Sequence, residues 1–282
     1  MSPLRALALI ALLLCAGVAP APVLFAGVTP ARVRFAGVTP ARVRFAGVTP
    51  ARILFAGVTP ARAAPEAPCP PDPPGLVPAA PLAAFAAALR PGATVDLLAV
   101  GSASTVAADG YATAMLAALQ AARPGVTFRL TQRGGRGQDA ATTLRLLATA
   151  LAAGRYPLVV WQAGTVDAVR GLQPDDLAST LDAGADLTRR HGADLVLVDP
   201  QFSRFLRANV DIEPYETALQ MAAAEPQVSL FPRYELMQGW ADDDGPDPER
   251  ATTTRGQHAA AVLLRRCVGA ALARFMLAGA AK

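Results

Sequence analysis

The chain is predicted to be an α/β protein on a doubly wound parallel sheet of five strands. Three features of the sequence point there. From about Leu82 onward, short apolar runs alternate strictly with helix-length segments. The runs are apolar nearly throughout, as strands buried on both faces require. Most are followed by glycine or polar residues, where a strand turns into a helix.

The elements follow in order. Val95–Val100 ends in Gly101 and reads as the first strand, with a helix over Ala112–Ala122. Val126–Thr131 is the second strand and runs into the Gly-rich stretch Arg133–Gly137. Ala140–Ala153 carries Leu144, Leu147 and Leu151 at helical spacing. Leu158–Gln162 is the third strand, leading into Ala163–Asp167, and Asp175–His191 is a helix. Ala193–Asp199 is the fourth strand, Pro214–Ala224 a helix, and Val228–Phe231 a short fifth strand. The acidic stretch Asp242–Arg255 precedes a closing helix from about His258 to Ala278. Right-handed crossovers with short connections favour the strand order 2-1-3-4-5.

In such sheets, sites form beyond the carboxyl ends of the strands. Five segments should therefore gather at one rim: Gly101–Thr105, Gly134–Asp139, Gly164–Asp167, Asp199–Arg204 and the approach to His258.

Charge narrows the function classes. The chain of 282 residues has 26 basic and 22 acidic residues. Seven of the basic ones lie in residues 1–65, which hold no acid, so the remainder is mildly acidic. A folded part of that sign offers no footprint for a phosphate backbone, and nucleic acid is not expected as a partner. The mean hydropathy of +0.32 reflects Ala-rich helices and the N-terminal segment rather than a membrane bundle. Only two histidines occur, and no Cys or His spacing suits a metal. Arg133–Gly137 is followed by no Lys, so it is not a phosphate-cradling loop, and no cofactor is expected.

Residues 1–22 read as a secretory signal. Arg5 supplies the basic start, and the apolar run Ala6–Ala16 is too short to span a bilayer. A lipid-anchor reading at Cys15 is weakened by the bulky Leu14 before it. Residues 23–62 are four copies of a decapeptide ending in Gly-Val-Thr-Pro-Ala-Arg, with a Pro in each. Such a repeat forms no solenoid unit and is expected to lack packed structure. Its alternative reading is a basic, Phe-bearing strip that touches the envelope surface. Residues 63–81 form a Pro-rich linker, and the domain occupies 82–282. The expected location is secreted or periplasmic, with no stable membrane span after signal cleavage. Export implies an oxidising compartment, where Cys69 and Cys267 can pair.

Four short blocks at the predicted strand ends resemble those of the SGNH/GDSL hydrolases, esterases and acylhydrolases on a flavodoxin-like sheet. The resemblance covers about Cys69 to Ala278. It implies a Ser nucleophile, an oxyanion hole and an Asp–His pair, and several of these positions are altered. In Gly101-Ser102-Ala103-Ser104-Thr105, Ala103 stands in the nucleophile slot, flanked by Ser102 and Ser104. A one-residue shift on a tight turn usually destroys the geometry of attack. In the second block, Gly137 best matches the oxyanion-hole glycine, although a turn with Asp139 as helix N-cap fits as well. In Gly164-Thr165-Val166-Asp167, Val166 replaces the Asn that would donate to an oxyanion. Asp167 there reads as structural rather than catalytic. In the last block His258 matches the base, and Arg255 stands where the orienting Asp belongs. Asp242–Asp244 or Asp247 could reach in from the loop instead. Asp199, Gln201, Ser203 and Arg204 are further rim residues that could line a pocket. Related proteins also carry a cysteine before the first strand and another in the closing helix, as Cys69 and Cys267 would be.

Three functions compete. The first is an exported SGNH-like protein with weak or no ester hydrolysis that binds an envelope glycan, acyl group or partner. The second is a divergent serine esterase using Ser102 or Ser104 with His258. The third is a structural envelope protein.

Overall fold

A computed structural model describes residues 67–282. The expected signal segment, residues 1–22, and the decapeptide repeats, 23–62, lie outside the described residues. The elements are α1 (Ala83–Ala88), β1 (Thr94–Gly101), α2 (Ala103–Val106), α3 (Tyr111–Ala122), β2 (Thr127–Gly134), α4 (Ala140–Ala153), β3 (Leu158–Gln162) and α5 (Thr165–Arg170). Then come α6 (Pro174–Arg190), β4 (Asp194–Val198), α7 (Arg204–Asn209), α8 (Glu213–Ala222), β5 (Val228–Phe231), α9 (Arg233–Asp242) and α10 (Thr254–Ala280).

The five strands form one parallel sheet in the order β2-β1-β3-β4-β5, as predicted. Every residue of β3 and β4 is buried, as their apolar runs Leu158–Trp161 and Leu195–Val198 require. Helices α3, α10 and α1 pack together in one layer, and α4, α6 and α8 in another. Two close approaches set the layers against their neighbours. Gly184 of α6 lies on the ring of Trp161 in β3, where a Cβ would come within 2.1 Å of the indole. Gly269 of α10 lies on α3, where a Cβ would meet the Tyr111 carbonyl oxygen at 2.4 Å. The buried Trp161 still satisfies its N–H, donating to Thr143 Oγ1 of α4 at 3.0 Å.

The closing helix starts earlier than its predicted beginning at His258. Thr253 caps it by accepting the Gly256 N–H at 3.1 Å, so Arg255 and His258 both lie within α10. Helices α5, α7 and α9 occupy stretches that carried no helix prediction. Both α5 and α7 have six residues, too few to display a hydrophobic period.

Cys69 and Cys267 form a disulfide with Cα atoms 5.3 Å apart. The stretch around Cys69 makes further contacts. The Trp240 indole N–H donates to the Pro71 carbonyl at 3.2 Å, and Arg274 pairs with Asp72 through two bonds of 2.5 and 2.6 Å. Among the described residues, no helix is long and apolar enough to cross a membrane.

Candidate functional site at the carboxyl rim of the sheet

The chain reverses its direction of travel between β1 and β3, the switch point where a crevice opens in this topology. The segment after β1 enters it directly. Gly101 and Gly134 end β1 and β2 side by side, so close that a Cβ on Gly134 would lie 1.8 Å from the Gly101 carbonyl oxygen. Gly134 also has φ +144°, which side-chain-bearing residues rarely adopt. Ser102 then precedes the single turn of α2, and Ala103, its first residue, is exposed.

The hydroxyls around Ala103 all turn to Gln162, the last residue of β3. Gln162 Oε1 accepts from Ser102 at 2.9 Å, from Ser104 at 3.1 Å and from Thr105 at 3.0 Å. Thr105 Oγ1 also shares a hydrogen bond with the buried Tyr111 hydroxyl at 2.9 Å. Its carbonyl accepts from Gln132 Nε2 at 2.5 Å. An amide carbonyl is no base, so this arrangement holds the serines in place without drawing off a proton.

His258 is exposed on α10, one helical turn before Ala261, the first α10 residue to line the rim cavity. Among the described residues it makes no hydrogen bond to Ser102 or Ser104. Arg255 is exposed three residues before it.

The acids and amides of the second and third blocks are engaged with one another and their neighbours. Asp139 caps α4, accepting the Thr142 N–H at 2.8 Å, and pairs with Arg170 at 3.1 Å. The buried Asp167 accepts the Ala140 N–H at 3.0 Å and the Gly164 N–H at 3.2 Å. It thereby joins the starts of α4 and α5 and occupies the Gly164 amide. Burial raises the Asp167 carboxyl above its usual range, and those amides oppose the rise. Gly164, at φ +87°, and Gly137, at φ +68°, both turn the chain through the left-handed region. Val166 is half-buried in α5 and presents no donor.

Ser203 caps α7 by accepting the Leu206 N–H at 3.0 Å. The Arg204 guanidinium binds Asp247 at 3.1 Å and the Ala241 carbonyl at 3.3 Å, and the Arg204 N–H donates to Glu249 at 2.6 Å. The acidic loop is thus fastened to the start of α7 rather than directed at His258.

A cavity of about 280 Å³ opens here, walled by Ser104, Tyr111 and Ser203 together with residues of α9, α10 and the acidic loop. Neither Ser102 nor His258 is among its walls. Two of the polar groups at this place were invisible as a pair in the sequence. Arg233, the first residue of α9, is 2% exposed, and Asp199 after β4 is 5% exposed. The Arg233 guanidinium lies 5.7 Å from the Tyr111 ring centre, and its Nη2 reaches Thr165 Oγ1 at 3.5 Å. Its Nε has no hydrogen-bond partner among the described residues. Asp199 accepts the Tyr234 N–H at 2.9 Å. Burial pushes its carboxyl up to about 8, opposed by the nearby Arg233. Burial likewise holds Arg233 below its ordinary value, although a guanidinium remains protonated in proteins. The position of Arg233, two residues beyond β5, is the signal that could have found it, since every strand's carboxyl end faces this rim. Among the described residues, no group of three or more His, Cys, Asp or Glu side chains is arranged to hold a metal.

Comparison with known proteins supports a relationship over the whole described region. The model of the Non-GDSL lipase-like family matches residues 68–282. No curated protein matches the chain. Among solved structures, LAE5, an alpha/beta hydrolase enzyme from the metagenome of Lake Arreo, Spain, aligns with TM-score 0.50 at 17% identity. That alignment covers 62% of this chain and 96% of the other, and it supports the shared fold. TesA aligns at 26% identity and TM-score 0.46, over 61% and 94% of the two chains. AlinE4, an SGNH-hydrolase family esterase, aligns at 19% identity and TM-score 0.46, over 59% and 90%. The family match takes in every described strand and helix, and the chain belongs to the Non-GDSL lipase-like family.

Proposed function

We propose that this is an exported SGNH/GDSL hydrolase-like protein with weak or no ester hydrolysis, which holds an acyl group in the rim cavity. The observation that carries the reading is the engagement of both serine hydroxyls by Gln162 Oε1, with His258 exposed and outside the cavity. A serine attacks only when a base within hydrogen-bond reach takes its proton. Export is favoured by the N-terminal apolar run with Arg5 and by the Cys69–Cys267 disulfide. The cavity walls include Phe202, Met237, Leu264 and Val268. These apolar side chains suit an acyl chain, which gains by leaving water.

Ser104 does wall the cavity, and that favours a second reading, a divergent esterase with Ser104 as nucleophile. One experiment separates the two. Protein purified from the periplasm is treated with a fluorophosphonate and assayed on short-chain aryl esters, alongside Ser102→Ala, Ser104→Ala and Ala103→Ser. The expected outcome is no labelling, hydrolysis within a few-fold of buffer, and no substantial gain from Ala103→Ser, because a restored hydroxyl still lacks its base and oxyanion donor. Rapid turnover by the wild-type protein that Ser104→Ala or Ser102→Ala abolishes would establish the esterase instead.

A further inference from the structure

Arg233 is a charged group in the cavity wall whose burial is left unexplained by its contacts among the described residues. Taking a guanidinium out of water is costly unless its donors and its charge find partners. Thr165 takes one long bond, Tyr111 offers a ring face, and Nε has no partner among the described residues. Asp199 is the nearby carboxyl, but it accepts the Tyr234 N–H, and no hydrogen bond or ion pair joins it to the Arg233 guanidinium among the described residues. The other charges in the cavity wall have their own partners. Asp247 is bound by Arg204, Glu249 takes the Arg204 N–H, and Arg265 pairs with Asp109. The Tyr111 ring lies beside Arg233, and Met237 and Val268 add apolar surface to the same cavity wall. A fork of N–H donors with no anion of its own, at the side of an apolar cavity, is a receptor for a carboxylate on an apolar body.

We propose that the rim cavity binds a small free carboxylic acid as its anion, with Arg233 gripping the carboxylate and the apolar wall holding the chain. This rests on the reading above, in which the cavity binds rather than hydrolyses. The volume, about 280 Å³, lies near the lower end of the range of small-molecule sites, roughly 300–1,000 Å³, and so limits the ligand to a short or medium chain.

Calorimetric titration of the disulfide-bonded protein with hexanoate and with 1-hexanol tests it. Hexanoate is expected to bind at least tenfold more tightly than the alcohol of equal length. Arg233→Gln should lose that preference, and Arg233→Lys should recover part of it. Ala261→Trp, which fills the cavity from α10 and leaves Arg233 in place, should abolish binding of both ligands with the circular dichroism spectrum unchanged. Equal affinity for acid and alcohol, or hexanoate binding unaffected by Ala261→Trp, overturns the proposal even if Arg233→Gln fails to fold. Parallel assays on an aryl hexanoate keep the two readings apart. Turnover of the ester refutes the non-hydrolytic reading, whereas no binding of hexanoate refutes only the carboxylate site.

Discussion

Asp199 stores a pH dependence that can be isolated by one substitution. Its carboxyl sits at about 8 in the folded protein and near ~4 in the unfolded chain. Between those values the folded state binds the extra proton, so this group's contribution to stability falls as pH rises from about 4 to about 8. Below about 4 both states are protonated, and the contribution is fully present. The groups around it are Arg233, Tyr234 and Glu216, and burial together with Glu235 and Glu213 raises Glu216. Glu216 titrates in both proteins, so the difference between wild type and Asp199→Asn reports Asp199. An amide oxygen can still accept the Tyr234 N–H. Urea midpoints measured from pH 4 to 9 should therefore decline more steeply for wild type, with Asp199→Asn gaining relative stability toward pH 9. Parallel curves would show that the carboxyl is not held protonated.

The helices stand against the sheet through small residues, and two glycines at this scale should respond in opposite directions. Gly184→Ala drives a methyl into the Trp161 ring and should cost about 1–3 kcal/mol, from overpacking between α6 and β3. Gly239 lies in α9 with open space beside it and an ordinary helical backbone. Gly239→Ala should stabilise by about 0.4–1 kcal/mol, because it restricts the unfolded chain. Urea unfolding of the two variants checks both signs. The same scale shows what was legible beforehand. β3, β5 and α4 run as the sequence indicated, because short, mainly apolar runs between polar or turn residues mark strands and a leucine repeat marks a helix. The start of α10 was misplaced because Thr253, a capping hydroxyl in a polar loop, looks like any other loop residue. At the site, Ser102, Ser104 and the altered block positions could be read from the sequence. Gln162 could not be assigned its role, since its three hydroxyl partners come from a segment about 60 residues earlier. Nor could the Arg233–Asp199 neighbourhood, which depends on β4 and β5 lying side by side.

For the whole molecule, the disulfide closes a separation of 198 residues, enclosing the entire sheet. Reducing it, or replacing the pair by Cys69→Ser and Cys267→Ala, should cost about 2–5 kcal/mol, with the Cys267→Ala part including a packing loss at a fully buried position. Denaturation with and without reductant reads the first number, and an unchanged midpoint would mean that the pair is not bonded in solution. The bond also decides where mechanical load travels. Cys69 lies near the start of the described chain, and its partner lies in the last helix, fifteen residues before Lys282. A pull applied between the two ends of this region therefore runs from Cys69 through Cys267 into the final turns of α10 and bypasses every strand. Under tension the sheet stays slack, and Val268 is the cavity-wall residue that lies on the loaded path. In an optical trap, only the short tails should extend until a reductant cuts the bypass.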